Sequence, residues 1–314
     1  MSKFFKQLFL FSILAVVIIT IVHLSFQHRM QADTNYKVAS KIQTLIIGNS
    51  RPECAFNDTL IANTRNLSLV AEPYFYTYIK LRKLLASNHQ IQTVLVECSD
   101  INLSEENMKK WMYESASVKY LYPKYATIMT LAEKVTVLKI NPFAFIKSFP
   151  FILRDNILFT INHTNDFIAA KQFGGYLAKE GNHLDTIKNT PVTTASSKQS
   201  FSLAAFNLQY LDSIIALCQQ HQVHYYLLRA PVHSSYGLAS FDKTYDSVLA
   251  NRYPNANLID FANYKLDDSD FFDPHHLNHK GARVVSKKLD SVLRLLNAPS
   301  TTTLFDNHRI VLTN

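Results

Sequence analysis

Hydrophobic positions divide the chain into one long apolar run and a series of shorter segments. Residues 7–26 form an almost uncharged stretch of about 20 residues, the length at which a helix crosses a bilayer. Lys3 and Lys6 precede it, so the positive-inside rule predicts a cytoplasmic N-terminus and an exported remainder. A cleavable signal peptide is the alternative, but the run is long for one and no A-x-A site follows. We predict a retained signal anchor over residues 1–28.

Beyond the anchor, short apolar runs alternate with helical patterns. This alternation is typical of an α/β fold, a parallel sheet with helices on both faces. The predicted strands are 44–47, 66–70, 93–97, 224–228 and 257–260, and the predicted helices are about 73–85, 202–220 and 279–296. The pattern predicts one domain over 29–297, opened by a polar linker at 29–43 and followed by a loose tail at 298–314.

The alternation stops between about 103 and 200, where aromatic and long apolar residues dominate. We interpret this stretch as a mostly helical insertion, cut into pieces by Pro142 and Pro150 and ending in a polar loop at 190–200. Its aromatic residues either pack the insertion on the sheet, or form a lid or groove over a site, or form a face for a membrane partner. The Gly-Gly-Tyr sequence at 174–176 predicts a turn that brings a tyrosine near the cleft.

Composition describes a globular protein, with 47% hydrophobic and 18% charged residues. The net charge of +8 comes from scattered basic residues, which indicates solvated helix faces with some attraction to an anionic membrane. Nucleic-acid binding is not expected, because no zinc-finger spacing or aromatic-basic motif occurs. Cys54, Cys98 and Cys218 show no C-x-x-C pattern and exclude a disulfide framework; a single bridge between Cys54 and Cys98 stays open.

Candidate chemistry lies at the two ends of the domain. The first predicted strand runs into Gly-Asn-Ser at 48–50, and Asp273 stands three residues before His276 at the mouth of the last helix. A carboxylate so placed can accept one imidazole N–H and leave the other nitrogen free to act as a base for Ser50. The alternatives are that Ser50 caps a helix and Asp273 caps a turn. A metal site among these side chains is not expected, because H-E-x-x-H or comparable spacing is missing.

Together, these motifs resemble the SGNH/GDSL hydrolase superfamily. In that family the serine follows the first strand in a G-D-S or G-N-S context, and a D-x-x-H motif precedes the last helix. The sequence N-H-K-G-A at 278–282 is also similar to a membrane-anchored branch that O-acylates glycans. The resemblance implies a three-layer, flavodoxin-like sheet with a helical insertion. It also implies a catalytic triad of Ser50, His276 and Asp273 without a cofactor.

The sequence departs from the family where the oxyanion hole is usually completed. A glycine N–H is expected after the second strand and a G-x-N-D motif after the third, but the chain has V-A-E and E-C-S-D-I-N. The backbone N–H groups of Val70 or Ala71 and the side chain of Asn102 are the substitutes that the resemblance suggests. Arg229 and His233 follow another strand, where open α/β sheets bind ligands, although exposed turn residues would look the same.

The expected function is serine-dependent hydrolysis or transfer of an acyl ester on a cell-envelope carbohydrate or lipid. The resemblance favours transfer, beside a membrane-embedded acyl donor protein. The anchor predicts a single-pass protein of the inner (cytoplasmic) membrane with its soluble domain periplasmic or extracellular. The alternative is a catalytically inactive SGNH-like domain that binds or presents an envelope polymer in a membrane assembly. A separation of about 3 Å between Ser50 and His276 would favour the enzyme.

Overall fold

The apolar N-terminal run forms one continuous helix, α1 (Ser2–Met30). Its segment Lys3–Ile21 is long and apolar enough to cross a membrane, and no part of it is buried by the rest of the protein. This is what a single membrane span or a signal anchor requires. The computed structural model describes residues 2–30, 36–162, 173–184, 202–236, 239–296 and 308–312.

A six-stranded parallel sheet forms the centre of the domain. Its strands are β1 (Thr44–Ile47), β2 (Thr64–Asn66), β3 (Thr93–Glu97), β4 (His224–Arg229), β5 (Leu258–Asp260) and β8 (Arg309–Val311), in the order β2-β1-β3-β4-β5-β8. Every position of β1 and β3 is buried, as expected for strands covered on both faces. A separate antiparallel pair, β6 (Phe271–Asp273) and β7 (His276–Leu277), precedes the last helix.

Helices cover both faces of the sheet. They are α2 (Ser50–Ala55), α3 (Tyr74–Ser87), α4 (Asp100–Leu103), α5 (Glu105–Tyr113), α6 (Ser115–Tyr125), α7 (Leu131–Ile140), α8 (Pro142–Asn162), α9 (Ala205–Gln220), α10 (Ala239–Arg252) and α11 (His279–Leu296). Leu45 and Ile47 of β1 pack into a core with α3, α9 and the insertion, whereas Ile46 packs into a second core with α11. The predicted α/β fold with a central parallel sheet is therefore confirmed.

The insertion is helical, as predicted, and consists of α5 to α8 over its described residues up to 162. Pro142 begins α8, where a missing backbone N–H has no consequence. The predicted break at Pro150 is wrong, because α8 continues through it. Ala144 and Ile152 are buried on either side of this proline, so packing against α6 and α7 holds both halves in one helix. The predicted polar loop at 190–200 lies outside the described residues.

Three predicted boundaries need correction. Tyr36 is completely buried, so the domain begins inside the predicted linker. Residues 309–311 of the predicted loose tail form β8, which pairs with β5. The second strand is Thr64–Asn66, several residues earlier than predicted, although the amides of the following apolar residues still bond to the carbonyls of β1 and its turn.

The cysteines do not form the bridge that the sequence left open. Cys54, Cys98 and Cys218 are all buried and free. Cys54 lies within α2 and not at a strand end. Burial raises the pKa of each thiol to about 12, so all three stay protonated at neutral pH.

Candidate active site

Ser50 lies at the carboxyl edge of the sheet, immediately after β1. The chain passes from β1 to β2 on one side and pairs with β3 on the other, so this is the point where the strand order reverses. Open α/β sheets bind ligands at such a point. Ser50 is the first residue of α2, and the cap is Asn49, whose side-chain oxygen accepts the Arg51 N–H at 2.8 Å. The alternative role of Ser50 as a helix cap is therefore taken by its neighbour.

Ser50, His276 and Asp273 form one chain of hydrogen bonds. The Ser50 Oγ lies 2.8 Å from His276 Nε2, and His276 Nδ1 lies 2.9 Å from Asp273 Oδ2. The antiparallel turn between β6 and β7 creates this geometry, because it folds the Asp-x-x-His segment back on itself. The His276 and Asp273 side chains are 22% and 17% exposed, so a substrate can reach them.

The Asp273 carboxylate is held in its charged form. Its Oδ1 accepts the backbone N–H groups of His275 at 2.7 Å and of His276 at 2.9 Å. Burial alone would raise the pKa of Asp273, but the hydrogen bonds and charges of the two histidines outweigh burial and lower it. A charged Asp273 favours the His276 tautomer with its proton on Nδ1, which leaves the Nε2 lone pair facing Ser50.

A buried network fixes the turn below Ser50. The Asn49 backbone N–H donates to Glu97 Oε2 at 2.8 Å, and the Asn49 side chain donates to Asn102 Oδ1 at 2.6 Å. Ser99 Oγ donates to the other Glu97 oxygen at 2.9 Å. Burial raises the pKa of Glu97 to about 7, although the Asn49 N–H and the Arg51 charge oppose this. The residues that follow β3 therefore support the serine turn from beneath.

Gly48 is required by the close approach of β1 and β3 at this edge. A Cβ atom on Gly48 would lie 2.4 Å from the Cβ of Glu97 and 2.9 Å from the Cγ of Pro52. Both neighbours are packed and cannot move away without displacing the turn. The glycine of the G-N-S motif thus sets the distance between the serine turn and its supporting carboxyl group.

A second cluster lies directly behind the hydrogen-bonded chain. The guanidinium of Arg51 pairs with both Asp100 oxygens, and its side chain is 1% exposed. The Tyr236 hydroxyl donates to Asp100, and Arg51 lies 4.8 Å from the Tyr236 ring centre. The His275 ring packs against Tyr236 with 4.4 Å between centroids. Burial and the Arg51 charge lower the pKa of His275 to about 4, so this histidine is neutral at neutral pH.

The three predicted oxyanion donors differ in their surroundings. The Val70 backbone N–H opposes the rise in the pKa of the Glu53 carboxyl group that burial causes. Asn102 bonds to Asn49 and, at 3.4 Å, to Glu97, which makes it a supporting residue for the serine turn. The Ala71 N–H has no partner within the described parts of the chain.

Ala71 also has an unusual backbone conformation. Its φ of +57° is in the left-handed region that most side chains avoid. The Ser50 N–H, in the first turn of α2, has no carbonyl acceptor within that helix. The backbone N–H groups of Ser50 and Ala71 are thus without a hydrogen-bond partner in the parts of the chain that the structure describes.

Arg229 and His233 are not exposed turn residues. Arg229 is 2% exposed, pairs with Asp242 at 2.6 Å and lies 3.8 Å from Asp260. His233 is also buried and lies 3.0 Å from Asp268. Arg229 thus joins β4, β5 and α10, and its predicted contact with substrate is replaced by a structural role.

The segment 173–184 crosses the site. Gly175 N–H donates to the Ser68 carbonyl at 3.0 Å, and Leu177 N–H donates to the Glu53 carbonyl at 2.8 Å. His183 N–H then donates to the Phe272 carbonyl in β6 at 2.7 Å. The segment therefore connects the α2 side of the site with the Asp273 side. Tyr176 within it is half-buried, and its predicted position near the cleft stays a prediction.

Sequence reasoning missed the roles of Arg51, Asp100, Tyr236 and His275. The sequence did contain a signal for Arg51 and Asp100. These opposite charges follow β1 and β3, two strands that meet at the point where the strand order reverses. Tyr236 gave no signal, because it comes from a short 3-10 turn after β4. No group of three or more potential metal ligands converges among the described residues.

The comparisons with known proteins add little to this geometry. One protein-family profile matches residues 179–296, and its description names no function. The match contains Asp273 and His276 but not Ser50, and it covers less than half of the chain. A search of curated proteins found no match.

Proposed function

We propose that this chain is a membrane-anchored serine hydrolase or O-acyltransferase of the SGNH type that acts on an acyl ester of a cell-envelope carbohydrate or lipid. The observation that carries the proposal is the hydrogen-bonded chain from Ser50 Oγ through His276 to Asp273. A serine hydroxyl is a poor nucleophile at neutral pH unless a base lies within hydrogen-bond reach. His276 is such a base, at 2.8 Å.

The fold agrees with this proposal. The first five strands have the order 2-1-3-4-5, which is the order of flavodoxin-like folds, and β8 extends it by one strand. The serine follows the first strand and the D-x-x-H motif precedes the last helix, as in the SGNH/GDSL superfamily. The apolar helix α1 supports an anchor in the inner membrane with the domain on its outer side.

The proposed reaction has two steps. His276 Nε2 takes the proton from Ser50 Oγ, which attacks the acyl carbonyl carbon, while the backbone N–H groups of Ser50 and Ala71 stabilise the oxyanion. His276 returns the proton to the leaving alcohol, and an acyl-enzyme remains. Water or a sugar hydroxyl then gives its proton to His276 and attacks the acyl carbon. Ser50 leaves as its hydroxyl, and the product is a free acid or a new ester.

The experiment is covalent labelling of the full chain in detergent with a fluorophosphonate, read by intact mass. We expect one adduct on the wild type and on the control Ser269→Ala, whose serine is exposed in the neighbouring acidic loop. Ser50→Ala should give no adduct. His276→Ala should label at least about 10,000 times more slowly, because loss of the base alone nearly abolishes serine activation. An adduct that persists in Ser50→Ala would overturn the proposal.

A second candidate is a domain of the same fold that binds an envelope polymer without reacting with it. The observation that favours it is the engagement of Asn102, one of the predicted oxyanion donors, with Asn49 and Glu97 within the protein. Loss of one such donor costs about a hundredfold or more in rate. A folded wild-type chain that forms no fluorophosphonate adduct would favour this candidate.

A further inference from the structure

Helices α7 and α8 expose apolar side chains along one stripe each. On α7 these are Leu131, Val135 and Leu138, and on α8 they are Phe143, Ile146, Phe149, Leu153 and Ile157, with Phe151 exposed outside the stripe. The spacing of three or four residues places each set on one helix face. Leu131, Phe143 and Ile146 are 78%, 64% and 61% exposed, which is unusual for such large side chains.

The opposite stripes of the same helices are the ones that pack on the domain. Val137 of α7 and Ala144 and Ile152 of α8 are buried, and α8 contacts both α6 and α7. Helix α8 is therefore apolar on two sides, although the protein covers only one within its described residues. A contiguous exposed apolar patch with polar residues at its rim typically marks a site that contacts another protein or a membrane. The outward stripe thus needs a second apolar environment.

The charges beside the stripe are basic. Among the exposed positions that the structure describes on these two helices, the charged side chains are Lys139, Lys147 and Arg154. Lys147 Nζ lies 4.0 Å from the Phe143 ring centre, and the Arg154 guanidinium lies 5.5 Å from the Phe151 ring centre. Aromatic and aliphatic side chains flanked by lysine and arginine are typical of helices that lie in the interface of an anionic bilayer.

The point where the chain leaves the domain lies on the same side. Tyr36 is fully buried, its carbonyl accepts Asn88 Nδ2 at 2.7 Å, and its hydroxyl lies beside Thr127. Thr127 comes three residues before Thr130, the cap of α7. Arg82, which lies next to Lys83 at the Tyr36 ring, bonds the Ile128 carbonyl at 3.0 Å. Tyr36, where the N-terminal segment enters the domain, therefore lies beside the first turn of α7.

The segment between the apolar part of α1 and Tyr36 is also short. From Ile21, where the apolar segment ends, nine helical residues and six extended steps reach Tyr36, a span of at most about 35 Å. A domain of this size is about 45 Å wide. An α1 helix in a bilayer therefore cannot leave the Tyr36 side of the domain, with the first turn of α7, at the end farthest from the membrane.

We propose that the α7–α8 face docks on the surface of the anionic bilayer that α1 spans. The apolar stripes enter the boundary between headgroups and acyl chains, and Lys139, Lys147 and Arg154 lie among the anionic headgroups. The docking holds the domain in one orientation on the membrane. This proposal does not depend on the acyl chemistry of Ser50.

The test uses the full chain reconstituted in vesicles of phosphatidylcholine and phosphatidylglycerol with brominated acyl chains, which quench tryptophan. Trp111 is the single tryptophan of the sequence and is replaced by phenylalanine. The reporters are Phe143→Trp and Ile146→Trp on the proposed face. The control is Leu295→Trp on α11, which is 52% exposed on the other side of the sheet.

We expect about a twofold or greater loss of fluorescence at the two reporters on α8, because interfacial helices bury their apolar face about 5–10 Å deep. The control should lose little. Equal quenching at all three positions, or no quenching on α8, would overturn the proposal. Protection of Ile146→Cys from a thiol reagent in cells, without quenching in pure lipid, would also overturn it in favour of a protein partner.

Charge provides an independent readout. Lys139→Gln and Lys147→Gln should each shift the ratio of docked to undocked domain about fivefold towards the undocked state on anionic vesicles. Lys287→Gln on the exposed side of α11 is the matched control and should leave the ratio unchanged. If the lysine variants behave like this control, headgroup charge plays no part in the docking and the proposal is wrong.

Discussion

Ser50 and Arg51 are adjacent in sequence but have different surroundings in the fold. The same is true of His275 and His276. Ser50 and His276 face an accessible edge of the sheet and bond to each other at 2.8 Å. Arg51 and His275, the adjacent residues, both lie against the Tyr236 ring, and Arg51 is buried. Each dipeptide therefore supplies one group of the hydrogen-bonded chain and one group that packs against Tyr236. The reactive groups are held in place by the packing of their own neighbours.

The two aspartates of these clusters show what the difference in environment means. Asp273 is 17% exposed and orients an imidazole, so its charge serves the proposed chemistry. Asp100 is 8% exposed and neutralises a buried guanidinium, so its charge serves stability. In both, burial alone would raise the pKa, and the partner, His276 or Arg51, lowers it. We therefore expect a change of Asp273 to lower the reaction rate and a change of Asp100 to lower the stability.

The largest effect is expected for the rate of Asp273→Asn. An asparagine stabilises the wrong His276 tautomer, and the corresponding change in a serine triad lowers the rate about 10,000-fold. Its oxygen can still accept the two backbone N–H groups, so the free energy of unfolding should fall by no more than about 1–2 kcal/mol. The rate of fluorophosphonate labelling and urea unfolding measure the two quantities.

The matched control for this variant is Asp268→Asn, in the acidic turn just before β6. Asp268 bonds to His233 and not to His276, and its side chain is 74% exposed. It should label at the wild-type rate. If Asp273→Asn also labels at that rate, Asp273 does not orient the base and the triad assignment is wrong.

The next effect is a loss of stability in Asp100→Asn. The variant leaves the Arg51 charge buried without its carboxylate, and breaking a buried pair in this way costs about 3–5 kcal/mol. Chemical unfolding of the full chain in detergent measures the loss. The matched control is Asp212→Asn, because Asp212 pairs with Arg252 at side-chain exposures of 43% and 45%. An exposed pair of this kind contributes about 0–1 kcal/mol.

Similar losses of unfolding free energy in Asp100→Asn and Asp212→Asn would contradict the expected difference between a buried and an exposed ion pair. Arg51 would then be solvated in a way that its 1% exposure does not suggest. A large loss in Asp100→Asn alone would establish that the residues behind Ser50 stabilise the fold at this edge of the sheet.

Much of this architecture could be predicted from the sequence. The limits of β1, β3 and α11 agree with their hydrophobic patterns, because a strand buried on both faces and an amphipathic helix leave strong local signals. The meeting of Ser50 and His276 followed from two motifs at opposite ends of one α/β domain. These features depend on local periodicity or on chemistry that requires particular residue types.

The missed features depend on contacts between distant parts of the chain. Arg229 was predicted to contact substrate, but its partners Asp242 and Asp260 come from elements that pack only in the folded state. Strand β8 has only three residues, too few for a hydrophobic pattern, and is defined by its pairing with β5. Asn102 was placed at the edge of the correct strand, but the sequence does not reveal that it supports Asn49. Side-chain direction is fixed by packing, which a linear pattern does not contain.

The smallest expected effect is the contribution of His275 to the pH dependence of stability. His275 has a pKa of about 4 in the folded protein, lowered by burial and by Arg51 and opposed by Asp273 and Asp100. In the unfolded chain it takes up a proton at about pH 6.5. Between these values the unfolded state binds more protons, so stability falls as the pH falls from about 6.5 to 4. The shift corresponds to about 3 kcal/mol in total.

His275→Gln should remove this contribution. Burial of Glu53 and Glu97 raises the pKa of each to about 7, which gives an opposite slope between about pH 4.5 and 7. The pH dependence of the wild-type unfolding free energy therefore does not reveal the contribution of His275. The informative quantity is the difference in unfolding free energy between wild type and variant. That difference should be constant above about pH 7 and change in favour of the variant by about 3 kcal/mol towards pH 4. A difference that stays constant throughout would mean that His275 is protonated as readily in the folded protein as in the unfolded chain, and that Arg51 and burial do not act on it.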